Sequence, residues 1–301
     1  MATREMWTGV GTALITPFTK DGAVDEVAVR RLARRQIDAG VHFLVPCGTT
    51  GETPTLSDAE KRRVVELVVE EAGGRVPVMA GAGGYDTREV VHAAREMQKA
   101  GATGLLSVTP YYNKPTPEGL YQHFSAIAEA TPLPIVLYNV PGRTGCNMDA
   151  ATVARLATIP NVVGVKEASG NIQQMAEILA AVPDDFRVLS GDDAVTVPLM
   201  AIGGRGLISV ASNEVPAEMA QMVEAAERGD YAAARRIHQR LLPLLVGNFL
   251  ESNPGPVKFA MAEMGLCELV YRLPMVPPRP QTQERLRAIL SAVQAAGAQK
   301  G

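Results

Sequence analysis

The stretch Val162-Val163-Gly164-Val165-Lys166-Glu167 decides the fold. An apolar run reaches a lysine with no polar alternation. Strands that read this way are covered on both faces, as in parallel sheets. Val162–Lys166 is therefore expected to be a buried strand of an α/β protein. Seven further runs read alike: Gly11–Ile15, His42–Pro46, Pro77–Ala80, Gly104–Val108, Ile135–Tyr138, Arg187–Ser190 and Gly206–Ser209.

Helical periodicity fills the gaps between these runs. The expected helices are Asp25–Ala39, Asp58–Ala72, Thr87–Ala100, Pro117–Ala130, Asp149–Ala157, Asn171–Ala181, Ala194–Ile202 and Pro216–Glu227. Ser57 with Glu60 three residues on is a capping-box signal for the second of them. Eight strand–helix units over about 230 residues suit a closed (β/α)₈ TIM barrel. An open doubly wound sheet would want G-x-G-x-x-G after its first strand. Gly81-Ala82-Gly83-Gly84 follows the third strand and lacks that spacing. Beyond Glu227 the strands stop. Asp230–Val246, Pro254–Met264 and Gln281–Ala296 read as helices, with a proline-rich linker at Leu273–Pro280. The expected division is a catalytic barrel at 1–228 and a C-terminal helical extension at 229–301.

Composition narrows the function. Of 301 residues, 47% are hydrophobic, and the formal net charge is −3. Neither nucleic acid nor an anionic membrane is indicated as a partner. The three cysteines, Cys47, Cys146 and Cys267, are far apart and odd in number, which fits neither a zinc site nor a disulfide framework. A reduced, cytoplasmic setting is expected. Met1–Trp7 is charged and lacks an apolar signal core. No run reaches the roughly 18 uncharged apolar residues of a membrane span.

In such a barrel the chemistry gathers where strands end, among the βα loops. Reactive groups at those ends are Thr49 and Thr50, Tyr111 and Tyr112, Tyr138, Arg143, Lys166, and Asp192 with Asp193. The chain has only seven lysines, and Lys166 ends a buried run. Burial disfavours the charged form of an amine, and a neutral amine attacks a ketone to give an imine. The plainer alternative is a structural lysine paired with a carboxylate. Tyr138 ends the neighbouring strand, where a phenol can exchange protons with a carbinolamine. The Gly48-Thr49-Thr50-Gly51 turn offers amides and two hydroxyls to a small carboxylate. Arg143 carries a planar fork suited to a second carboxylate. Lys258 is read as structural, the Tyr111-Tyr112 pair as more often packing than catalysis although one hydroxyl at a strand end could reach the site, and Asp192 or Asp193 as a helix N-cap, while the four histidines are assigned no role. No metal ligand set is assigned and no cofactor is expected.

Five motifs together resemble the dihydrodipicolinate synthase (4-hydroxy-tetrahydrodipicolinate synthase) family of the N-acetylneuraminate lyase superfamily. They are Gly48-Thr49-Thr50-Gly51-Glu52, Pro110–Pro115, Tyr138–Gly145, Gly164–Ala168 and Ser190–Asp193. The resemblance runs nearly end to end. It implies that Lys166 forms a Schiff base with pyruvate and that Tyr138, Thr49 and Tyr112 form a proton relay. In that relay Tyr112 reaches across a dimer interface. It also implies that Thr50 binds the pyruvate carboxylate and that Arg143 holds the carboxylate of L-aspartate 4-semialdehyde. Gly191 and Ile208 match positions whose backbone lines the site. The implied assembly is a homotetramer, a dimer of dimers, serving lysine and diaminopimelate biosynthesis.

The close alternative is an N-acetylneuraminate lyase or sugar-acid aldolase of the same superfamily. Arg143 and the Tyr111-Tyr112 pair favour the synthase. A non-catalytic barrel would be expected to have lost Lys166 or Tyr138. One departure concerns regulation. Asp58 and Lys61 stand where a lysine-sensitive relative resembles histidines, Tyr85 replaces an asparagine, and Glu89 and Tyr111 are kept. The cation at Lys61 would repel the ammonium of a bound lysine, so feedback is expected to be weak or absent.

Overall fold

The structure, a computed structural model, describes residues 6–298. Residues 1–5, most of the charged Met1–Trp7 segment, and residues 299–301 at the end of the expected extension lie outside the described residues. The strands are β1 Gly9–Ala13, β2 Phe43–Val45, β3 Met79–Gly81, β4 Gly104–Val108, β5 Ile135–Asn139, β6 Val162–Glu167, β7 Arg187–Ser190 and β8 Gly206–Ser209. They form one eight-stranded sheet in the order β2-β1-β8-β7-β6-β5-β4-β3, each ladder parallel. A parallel bridge between Leu44 and Val78 joins the two ends, so the sheet closes. The protein is a (β/α)₈ TIM barrel carrying C-terminal helices.

Around the barrel run α1 Glu26–Asp38, α2 Asp58–Ala72, α3 Thr87–Lys99, α4 Pro117–Ala130, α5 Pro141–Thr144, α6 Ala150–Leu156, α7 Ile172–Ala181, α8 Thr196–Ala201 and α9 Pro216–Glu227. The Ser57–Glu60 capping box starts α2 as expected, with both of its hydrogen bonds formed. Asp192 caps the short helical turn Asp193–Val195 that leads into α8. The largest displacement from the sequence reading is in β1, expected over Gly11–Ile15. The Ile15 amide donates to the Asn213 side chain at 3.2 Å, which withdraws it from the ladder. At the other end, the Gly9 amide donates to the Arg205 carbonyl at 2.8 Å and extends the strand.

Two apolar layers follow from strand alternation. Outward residues of the strands meet the helices in the main core. Inward residues, among them Phe43, Met79, Leu106, Val136, Val163, Leu189 and Ile208, fill the barrel itself. Trp7 packs edge-on against Phe43 and beside Gly104, at the ends where β2 and β4 begin. That end is solid, and the opposite end is left for the βα loops. After α9 come α10 Tyr231–Gly247, α11 Gly255–Glu263 and α12 Pro280–Ala298. α10 packs on α9 and α12, and α11 packs on α12.

Candidate active site

Tyr138 and Lys166 are register partners in the parallel pair β5–β6. Both side chains face the barrel interior and are nearly buried, at 6% and 5% exposure. The Lys166 Nζ lies 4.2 Å from the centroid of the Tyr138 ring. Among the described residues no carboxylate pairs with Lys166. The neighbouring Glu167 points the other way. Its carboxylate accepts from Asn139 Nδ2 at 2.9 Å, the Ser169 amide at 2.7 Å and Gln174 Nε2 at 3.2 Å. Alternation along β6 therefore separates an amine on the inside from a satisfied carboxylate on the outside.

Lys258 is the opposite case. It is fully buried, and its Nζ stands 2.5 Å from Glu52 Oε1 and 4.0 Å from the centroid of the Phe18 ring. Burial lowers its pKa from the ordinary lysine value, while Glu52 opposes that shift. The structural reading of Lys258 agrees with this geometry. The partner was not foreseen. Glu52 ends the Gly48–Glu52 motif in a left-handed conformation with φ +53°, and it is pinned by a side chain some two hundred residues away. The Arg272 amide also donates to Glu52 Oε2, at 3.2 Å.

Thr49–Gly51 form one turn of 3₁₀ helix between β2 and this anchor. Thr50 is buried, and its Oγ1 accepts from Asn253 Nδ2 at 3.0 Å. Thr49 instead lines a cavity of about 280 Å³ at the loop end of the barrel. Tyr138, Tyr111, Arg143, Lys61 and Gly83 share its wall. Close backbone approach shapes that wall, since a Cβ on Gly81 would fall 1.8 Å from the Cys47 carbonyl oxygen. Tyr138 is the shared element, being both part of the cavity wall and in contact with Lys166.

The other expected residues fall into place unevenly. A Cβ on Gly191 would sit 3.1 Å from Lys166 Cε and 2.5 Å from the Ala168 Cβ, so only glycine leaves the lysine its room. Ile208 belongs to the interior cluster that contains Tyr138. The Arg143 side chain, on the one-turn helix α5, donates from Nη2 to the Asn253 carbonyl at 3.0 Å. Tyr112 does not join this chain's cavity. It is 89% exposed on the loop after β4, at φ +71°. Tyr111 turns inward and stacks edge-to-face on Tyr85, centroids 5.3 Å apart. Asn253 escaped the sequence reading altogether. It stands in an irregular segment where no periodicity marks it, and only its contacts single it out. Among the described residues no group of three or more His, Cys, Asp or Glu side chains is arranged to hold a metal ion.

The profile of the Dihydrodipicolinate synthetase family matches residues 6–293. The chain belongs to that family. Its relatives include a 4-hydroxy-tetrahydrodipicolinate synthase of Koribacter versatilis, 55% identical over 93% of this chain and 94% of the relative. Another, from Nitratidesulfovibrio vulgaris, is 54% identical over 94% and 97%. The fold superposes on the 4-hydroxy-tetrahydrodipicolinate synthase of Methylacidiphilum fumariolicum SolV with TM-score 0.95, at 43% identity and 97% coverage of both chains. The dihydrodipicolinate synthase of Aquifex aeolicus superposes with TM-score 0.94, at 42% identity, covering 96% of this chain and 98% of that one.

Proposed function

We propose that the chain is a 4-hydroxy-tetrahydrodipicolinate synthase, a carbon–carbon lyase that condenses pyruvate with L-aspartate 4-semialdehyde. Family membership and relatives of that name above 50% identity support the activity. The observation that carries the mechanism is the buried Lys166 amine beside Tyr138, without a carboxylate partner among the described residues.

In this reading Lys166 Nζ attacks the pyruvate ketone, and Tyr138 with Thr49 moves protons until the carbinolamine oxygen leaves as water. The imine draws electrons from the adjacent methyl group, which loses a proton and becomes an enamine. The enamine carbon attacks the aldehyde carbon of the second substrate, and its oxygen takes up a proton. The new chain's own amine then displaces Lys166 and closes the ring, which returns the free lysine. No metal or organic cofactor enters these steps. Thr50 holds the pyruvate carboxylate, Arg143 the second carboxylate, and Gly191 and Ile208 shape the wall. Exposed Tyr112 completes the proton relay of a neighbouring subunit within a homotetramer. The division into a barrel at 1–228 and an extension at 229–301 belongs to the same reading, as do a cytoplasmic setting and a place in lysine and diaminopimelate biosynthesis. No helix among the described residues is long and apolar enough to cross a membrane.

Borohydride reduction with pyruvate, followed by peptide mass spectrometry, tests the covalent step. The expected result is one adduct, on Lys166. A coupled assay with pyruvate and aspartate semialdehyde, run beside N-acetylneuraminate cleavage, tests the choice of reaction. Turnover of the sugar acid alone would replace the synthase reading with the lyase one.

A further inference from the structure

We propose that Asn253 is a positioning residue that fixes the direction of the Thr50 hydroxyl. It lies between α10 and α11, is only 5% exposed, and makes two bonds. Its Nδ2 donates to Thr50 Oγ1 at 3.0 Å. Its backbone carbonyl accepts from Arg143 Nη2 at 3.0 Å. The remaining side-chain atom, Oδ1, is buried with no hydrogen-bond partner among the described residues.

A hydroxyl has one proton and two acceptor lone pairs. An amide N–H can only donate, so Thr50 meets Asn253 as an acceptor. Its own proton must then point elsewhere. A side chain that is to hold a carboxylate has to donate, so Asn253 converts an ambivalent hydroxyl into a dedicated donor. Turning the amide over would pair Oδ1 with the Thr50 proton, leave Nδ2 without its acceptor, and take that proton from any ligand. One residue of the C-terminal segment thus reaches both candidate carboxylate ligands, Thr50 through its side chain and Arg143 through its backbone. The inference rests on the reading of Thr50 as the pyruvate carboxylate ligand.

The test uses the full chain in three forms: wild type, Asn253→Asp and Asn253→Ala. Asp keeps the shape but presents an acceptor to Thr50, so it captures the hydroxyl proton. Ala removes the bond and leaves the hydroxyl free to rotate. For Asn253→Asp the KM for pyruvate, and the pyruvate concentration that half-saturates borohydride trapping, should rise about tenfold or more, the loss of a hydrogen bond to a charged group. kcat and the KM for the aldehyde should stay within about threefold, because the backbone bond to Arg143 is retained. Asn253→Ala should raise the pyruvate KM by roughly two- to fivefold. A merely structural asparagine predicts the reverse order, since Ala leaves a void and Asp does not. That reverse order, or an unchanged pyruvate KM in Asn253→Asp, overturns the assignment. If Asn253→Asp does not fold, Asn253→Ala decides, and an unchanged pyruvate KM there overturns it as well. Failure of the wild type to form any adduct with pyruvate would instead remove the parent reading. Trapping in the wild type with no KM shift in the variants removes this assignment alone.

Discussion

Lys166 and Tyr138 occupy one rung of the β5–β6 ladder, with the amine 4.2 Å from the centre of the phenol ring. Adjacent strands of a parallel sheet hold register partners at a fixed spacing, so neither side chain needs a loop to bring it to the other. The pair inherits the stiffness of the barrel. Removing only the phenolic oxygen should therefore leave the lysine where it is and remove a proton carrier. Tyr138→Phe is expected to slow adduct formation with pyruvate about 10²–10⁴-fold, with the adduct still on Lys166. Rapid-quench trapping measures this, and an undiminished rate would contradict a proton-transfer role for Tyr138.

Gly191 is the second constraint on the same amine. A methyl group there would approach Lys166 Cε to 3.1 Å and Ala168 Cβ to 2.5 Å. Gly191→Ala should displace the lysine and lower the trapping rate by up to about a hundredfold. Circular dichroism should still report a folded barrel. Full activity in this variant would mean the wall yields more easily than the spacing implies.

The Glu52–Lys258 pair sets a stability prediction. Lys258→Met leaves a buried carboxylate without its cation, and breaking such a pair costs about 3–5 kcal/mol. The double variant Glu52→Gln/Lys258→Met should recover much of that loss in urea denaturation. Equal instability of single and double variants would show that the charge is not what matters.

Glu214 supplies a pH dependence. It is buried, hydrogen-bonded to Asn248 Nδ2, and pushed up to about 8, chiefly by burial and further by Asp193, against the opposing pull of Arg35 and the Asn248 bond. A carboxyl that holds its proton more tightly when folded favours the fold at low pH, and that stability fades as pH climbs from the unfolded carboxyl value toward about 8. Glu214→Gln should flatten this decline, so its Tm should gain on wild type between pH 5 and 8, a window of about three units. Parallel Tm–pH curves would count against a protonated Glu214.

Lysine feedback gives a fifth expectation. Lys61 lines the cavity wall, with its Nζ 3.0 Å from Asp58. Its cation opposes an incoming ammonium, so added lysine should leave the condensation rate nearly unchanged. Half-inhibition at submillimolar lysine would refute this, and Lys61→His would then be the variant to compare.

The barrel was legible because its signals are periodic. Short, largely apolar runs marked the eight strands, and Lys166 and Tyr138 stood out by closing two of those runs. What stayed hidden depends on distance along the chain. Glu52 and Lys258 lie 206 residues apart, and Thr50 and Asn253 lie 203 apart. Asn253 belongs to no pattern, Glu52 was marked only as the end of the Gly48–Glu52 motif and not by its partner, and a hydrogen bond across the fold leaves no local trace. The shift of β1 has the same origin, since Asn213 takes the Ile15 amide from far downstream.

Asn253, Lys258 and Arg272 all brace the loop that follows the second strand. During synthesis that loop leaves the ribosome long before its supports. A nascent polypeptide that has just released its eighth strand holds every proposed catalytic side chain and still lacks the braces. Competence therefore arrives late, with the final helices, and a protease that clips the chain before Arg272 would disarm it without touching the lysine that does the chemistry.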